Sequence, residues 1–133
     1  AEQLSLVAEL AADHPDVPVI VDHMAWPDET TSPNKAPWTD FEAVADVANT
    51  YVKISSLPRS ADEPWPYPDL HEYVRNLLDW FGSNRLMLGS DYPWMDSWAS
   101  YEECLSWVEE VEFVSAHDLA WFSHRTFDTV HYG

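Results

Sequence analysis

Apolar positions recur in two rhythms along the chain. Leu4, Val7, Ala8 and Ala11 follow one another at three- and four-residue steps, the spacing that lines one side of an α-helix. His14-Pro15 and Pro18 close that helix, because proline lacks an N–H and pushes its predecessor towards extended backbone. Val17 to Asp22 then reads Val-Pro-Val-Ile-Val-Asp, a nearly continuous apolar run of the kind found in parallel strands covered on both faces. A polar, proline-rich loop from Trp26 to Trp38 leads to a second helix on Phe41, Val44, Ala45 and Ala48, with Thr39 and Glu42 as its capping box. Tyr51-Val52-Lys53-Ile54-Ser55 reads as a second strand, and Ser56 to Pro68 as a second loop rich in Pro and Trp. Asp69 and Glu72 are expected to cap a third helix, with Leu70, Tyr73, Val74, Leu77, Leu78 and Phe81 facing inward and Gly82 ending it. Arg85-Leu86-Met87-Leu88-Gly89 is a third strand, followed by a loop from Asp91 to Ala99. Ser100 and Glu103 cap a fourth helix on Tyr101, Cys104, Leu105, Val108 and Val111, and Ser115 with Asp118 opens a last helix towards Tyr132-Gly133.

Strand and helix therefore alternate, with strands starting near residues 18, 51 and 86. Such alternation implies parallel strands joined by right-handed crossovers. A (β/α)₈ TIM barrel of roughly 250 residues allots about 31 to each unit, close to the spacing here. The expected class is thus α/β, with about three βα units and flanking helices of such a barrel. A doubly wound sheet is the rival, whereas a helical repeat of similar period would not contain apolar strand runs. In each unit the loop after the strand is long and aromatic and the loop before it is short. In barrels the loops after the strands build the active face, so 23–38, 56–68 and 91–99 are expected to converge on one pocket.

Charge narrows the partners. Six Lys+Arg stand against 24 Asp+Glu, a net charge of −18 over 133 residues. Nucleic acid and anionic membranes would be repelled. With 46% hydrophobic and 14% aromatic residues, the chain is nonetheless a folding one and not an acidic disordered tail. A carboxylate shell with only two lysines, Lys35 and Lys53, suits a halophile's salt-rich cytoplasm, where screening weakens self-repulsion. A single cysteine, Cys104, excludes an internal disulfide, and no membrane span or signal peptide is visible; a cytoplasmic protein is expected. The chain starts at Ala1 directly on a helical pattern, as an excerpt of a longer protein would.

Two side chains stand where catalysis is usually placed. His23 follows the first strand, and Asp91 follows the third within Gly89-Ser90-Asp91-Tyr92-Pro93-Trp94. An imidazole and a carboxylate at one barrel mouth can position and activate a water or, with further ligands, hold a divalent cation. Singly, each has a plainer reading: a satisfied structural histidine, and a turn residue before Pro93. His117, His124 and His131 recur every seven residues, about 10 Å apart on a helix at 1.5 Å per residue, too far to share a metal. Glu102, Glu103, Glu109, Glu110 and Glu112 read as a solvated helix face.

Val19-Ile20-Val21-Asp22-His23-Met24 with Pro27-Asp28, Tyr51-Val52-Lys53-Ile54-Ser55, and Arg85 through Pro93 together resemble the amidohydrolase-related TIM-barrel family, in particular its lactone hydrolases similar to 2-pyrone-4,6-dicarboxylate hydrolase. The resemblance covers essentially all of 1–133 as one partial domain, the C-terminal part of a barrel from its fifth helix onward. It implies that Asp91 is the general base on the attacking water and, in metal-dependent members, a metal ligand, with a divalent ion such as zinc in the complete site. It implies that His23 orients water or polarises the scissile carbonyl. Arg59, Ser55, Ser56 and Trp94 are then candidates to meet a small carboxylate substrate, while Lys53 is read as a structural cation. The family's His-X-His pair and a further histidine are missing, so the chain by itself is expected to be inactive and to need an N-terminal barrel half or an oligomeric partner. The implied activity is a metal-dependent hydrolase of an ester or lactone. A non-oxidative decarboxylase of the same superfamily and a non-catalytic remnant are the alternatives. If the acid excess is a salt adaptation, stability should rise steeply between ~0.1 M and ~2 M KCl, because the screening length shrinks from about 10 Å to below about 3 Å. Denaturant midpoints at the two salt concentrations check this, and equal midpoints would contradict it.

Overall fold

The computed structural model describes all residues, 1–133. Helix α1 (Leu4–Asp13) leads into strand β1 (Val19–Val21), helix α2 (Phe41–Ala45) and strand β2 (Thr50–Ile54). A one-turn helix α3 (Leu57–Ser60), helix α4 (His71–Phe81) and strand β3 (Leu86–Leu88) follow. Helices α5 (Tyr101–Ser106), α6 (Ala116–Ala120) and α7 (Thr126–Tyr132) complete the chain. The strands form one parallel sheet in the order β1-β2-β3, with Val21 opposite Val52 and Ile54 opposite Leu88. Parallel strands in sequence order, each followed by helix, match the expected βα alternation.

One face of the sheet is covered. Val52, Ile54 and Leu86 join Leu4, Phe41, Val44, Val74, Leu77, Trp107 and Phe122 in a single core cluster. Along β2, Thr50, Val52 and Ile54 are buried while Tyr51 and Lys53 are half-exposed. The apolar runs had suggested strands buried on both faces. Here the chain's helices build the core on one face, and the opposite face, bearing Ile20, Tyr51, Lys53 and Met87, is only partly covered: Met87 is buried, whereas Ile20, Tyr51 and Lys53 are half-exposed. Lys53 there pairs with Asp22 on the adjoining strand end, the one side-chain ion pair of the chain.

The helix starts divide into two groups. Ser100 accepts from the Glu103 N–H while the Glu103 carboxylate accepts from the Ser100 N–H, and Ser115 with Asp118 does the same, so both expected capping boxes form. The Thr39–Glu42 and Asp69–Glu72 boxes do not: α2 and α4 grow out of 3₁₀ turns, Trp38–Asp40 and Pro68–Leu70, without side-chain caps. Tertiary partners take those carboxylates instead. Asp69 accepts from the Asp62 N–H, and Glu72 from the Asn34 amide. Helix α2 is correspondingly short and stops before Ala48. The last helix runs as α6 and α7 joined through a π-helical turn, Trp121–Arg125, that presents Phe122 to the core and leaves His117, His124 and His131 exposed. Cys104 is buried, and burial, with the charges of Glu103, Asp96 and Asp91 adding to it, pushes its thiol pKa up, so it is a packing residue and not a nucleophile.

None of the 24 carboxylates is buried, and all four arginines lie over aromatic rings, at 4.1 to 5.9 Å from ring centroid to guanidinium. The acid excess is therefore left to water and salt. No helix is long and apolar enough to cross a membrane. Loss of a cap is expected to cost about 1 kcal/mol in Ser100→Ala, read from thermal or denaturant unfolding. The Ser100 N–H, then its hydroxyl, hold the Glu103 pKa below its usual value. The ionised group's contribution is therefore present above the ordinary glutamate value and fades as pH falls through the depressed one. Glu103→Gln should accordingly destabilise at neutral pH, with the gap to the unaltered chain closing in acid.

Candidate active site

Each strand ends in a residue with left-handed backbone. His23 (φ 53°), Ser56 (φ 61°) and Asp91 (φ 57°) lie two or three positions beyond β1, β2 and β3. Left-handed backbone is unfavourable for residues with a Cβ, and such strain concentrates where side chains must be aimed. The first instance is extended: His23, Met24, Ala25 and Trp26 are all left-handed. The turn drives Met24 into the core and sends its carbonyl to the Trp38 indole N–H at 3.1 Å. Trp38 is in turn held edge-on by Phe41 and Tyr73 at 5.1 and 4.8 Å. The loop beyond is pinned to α4 by the Tyr73 hydroxyl on the Thr31 carbonyl and by the Asn76 amide on that of Pro33. Asp28 closes a local turn by accepting from Thr30 and Thr31, hydrogen bonds that hold its carboxyl pKa below the usual value. It shapes the loop and does not face the recess described next.

The three loops converge as expected. His23, Trp26, Arg59, Asp91, Trp94, Met95 and Trp98 line one recess of about 270 Å³, near the lower bound for small-molecule pockets. His23 packs against Trp26, ring centroids 4.6 Å apart, and the Arg59 guanidinium lies 4.1 Å over the other ring. No side chain or carbonyl engages the guanidinium N–H groups of Arg59, which leaves a planar fork of donors for a carboxylate. Trp94 and Trp98 are largely exposed at the rim.

Behind the recess runs a chain of short hydrogen bonds. The Ser56 hydroxyl donates to Asp91 Oδ2 at 2.5 Å and lies 3.0 Å from His23 Nδ1; Ser55 Oγ is 2.8 Å from the same nitrogen. Asp91 Oδ1 and His23 Nε2 have no partner within the chain. Of the expected site residues, His23, Asp91, Arg59 and Trp94 meet in the recess. Ser55 lies behind it: it is 2% exposed and its hydroxyl is within hydrogen-bond distance of His23 Nδ1. Trp26, Met95 and Trp98 are lining residues that the sequence did not single out; their only signal was the aromatic richness of the loops. The donors do not make up a metal site. His23 and Asp91 are two, no group of three His, Cys, Asp or Glu side chains is placed to hold an ion, and protein zinc sites take three or four ligands.

Parallel strands whose C-terminal ends place an imidazole and a carboxylate beside the guanidinium of the helix after β2 define the class: an α/β scaffold with its candidate site at the carboxyl edge of the sheet. Residues 1–124 match the family model described as amidohydrolase, and the chain belongs to that family. It is 31% identical over 113 residues to an L-fucono-1,5-lactonase of Burkholderia ambifaria, aligning with 80% of this chain and 38% of that protein. It superposes on an amidohydrolase of Burkholderia multivorans with bound zinc at a TM-score of 0.82 and 27% identity, covering 96% of this chain and 48% of that one. A Pseudomonas putida structure named for 2-pyrone-4,6-dicarboxylic acid hydrolase shares the fold at a TM-score of 0.77 and 19% identity. The chain thus spans about half the length of these structures, and less of the lactonase.

Trp38→Phe keeps the ring but removes the donor to Met24. Loss of a buried hydrogen bond and of indole volume is expected to cost about 2–4 kcal/mol, read as a lower urea midpoint. An unchanged midpoint would show that the left-handed turn does not depend on this clamp.

Proposed function

We propose that residues 1–133 are the C-terminal part of a (β/α)₈ barrel hydrolase that opens the ester bond of a small lactone bearing polar or carboxylate groups. The observation that carries this reading is the shared recess. Asp91 presents an unengaged oxygen beside His23, and Arg59, the one cation of the recess, offers free donors to an anion in an otherwise acidic protein. The sequential parallel strands and the superposition on about half of a zinc-binding amidohydrolase support the partial-barrel reading. The lactonase likeness supports the substrate class.

In this mechanism Asp91 Oδ1 takes a proton from water, and the resulting hydroxide adds to the lactone carbonyl. When the tetrahedral adduct collapses, the ring C–O bond breaks and the leaving alkoxide regains the proton from Asp91. His23 orients the water, Arg59 holds the substrate's carboxylate or polar end, and the tryptophans cover its apolar face and exclude water. The two donors of this chain do not complete a coordination set, so no step is assigned to a metal; further ligands would come from the remainder of the barrel. The unpaired acidic surface further supports a salt-adapted, cytoplasmic protein. Asp91→Asn in the full-length gene product should lower kcat for aldonolactone hydrolysis by about 10²–10⁴-fold, the worth of a general base. A pH-stat assay reads this directly. Carbon dioxide release without acid production, turnover undiminished in Asp91→Asn, or full activity from the 133-residue chain alone would each overturn the reading.

A further inference from the structure

Consecutive residues of a strand point to opposite faces, yet Ser55 and Ser56 both reach one ring nitrogen. The left-handed backbone of Ser56 breaks the alternation and turns its hydroxyl back beside that of Ser55. The ring nitrogen they share is His23 Nδ1, and both serines are only 2% exposed, so water does not compete for these bonds.

A hydroxyl has one proton, and a carboxylate only accepts. At 2.5 Å from Asp91 Oδ2, the Ser56 proton is committed to the carboxylate. Towards His23, at 3.0 Å, Ser56 can then only accept, so the proton between them belongs to Nδ1. Ser55, which has no other side-chain partner, accepts the second branch of the same N–H. We propose that Ser56 is a positioning residue whose hydroxyl transmits the charge of Asp91 to His23, fixing the Nδ1–H tautomer and leaving Nε2 as a bare acceptor. This deepens the hydrolase reading: a bare Nε2 accepts a hydrogen bond from the attacking water and does not donate to the scissile carbonyl. Without Ser56, the Ser55 hydroxyl is free to rotate and donate to Nδ1, which selects the opposite tautomer.

The test is long-range ¹H–¹⁵N correlation on the ¹⁵N-histidine-labelled chain at a pH where imidazoles are neutral, with His23 assigned by its loss in His23→Gln. The unaltered chain should show Nδ1 protonated and Nε2 bare. In Ser56→Ala the Nε2–H form should rise about tenfold relative to Nδ1–H, the worth of one hydrogen bond, while Ser55→Ala should keep Nδ1–H. Asp91→Ala, which frees the Ser56 proton, should shift the tautomer in the same direction as Ser56→Ala and serves if that variant does not fold. An Nε2–H tautomer in the unaltered chain, or an unmoved tautomer ratio in the folded Ser56→Ala or Asp91→Ala variant, would overturn the proposal. The readout needs no turnover, so it stands apart from the fate of the lactonase reading.

Discussion

The left-handed turn from His23 to Trp26 is the constraint on which the site depends. Each such residue costs roughly 1–2 kcal/mol, so four together approach the whole stability of a small domain, about 5–15 kcal/mol. The turn exists because tertiary contacts offset it. Met24 is fully buried, its carbonyl takes the Trp38 indole N–H, Trp26 lies under Arg59, and His23 is held by two serines. The same turn that costs this energy aims both His23 and Trp26 at the recess. Strain and the candidate site coincide in one segment because an ordinary turn would send those side chains elsewhere.

The core explains why the chain can hold that strain. One contiguous cluster runs from α1 through the sheet to the π-helical turn, and the aromatic group around Trp38 sits within it. The stabilisation is thus concentrated on the helix side of the sheet. The opposite face, with Ile20, Tyr51, Lys53 and Met87, is mixed and only partly covered, and it leads to the strand ends where the recess opens. A densely packed side and a more accessible side meet along the carboxyl edge, where the candidate site lies.

Electrostatics is divided in a similar way. The carboxylates stay in solvent, and the arginines stack on aromatic rings in place of pairing with acids. Arg59 is thereby kept as an uncommitted cation in a molecule of strongly negative net charge. Asp91 differs from the other carboxylates by its setting: one oxygen is engaged by a buried serine, and the other is left open to the recess.

The residue pattern by itself determined the alternation of strand and helix, the parallel class, the positions of all three strands and of both serine-capped helices. These follow from local periodicity and local hydrogen bonding, which a linear pattern encodes. It also singled out His23 and Asp91, because polar residues at strand ends stand out against apolar runs, whereas Arg59 and Trp94 became candidates only through the resemblance of the surrounding runs to a family. Tertiary structure alone decided that Ser55 turns inward to His23, that Asp69 and Glu72 desert their helices for Asp62 and Asn34, and that one sheet face is only partly covered. It alone decided the left-handed run, since Met24, Ala25 and Trp26 carry no local preference for that backbone. Such choices rest on contacts between residues from seven to almost forty positions apart, and no neighbour-to-neighbour pattern carries them.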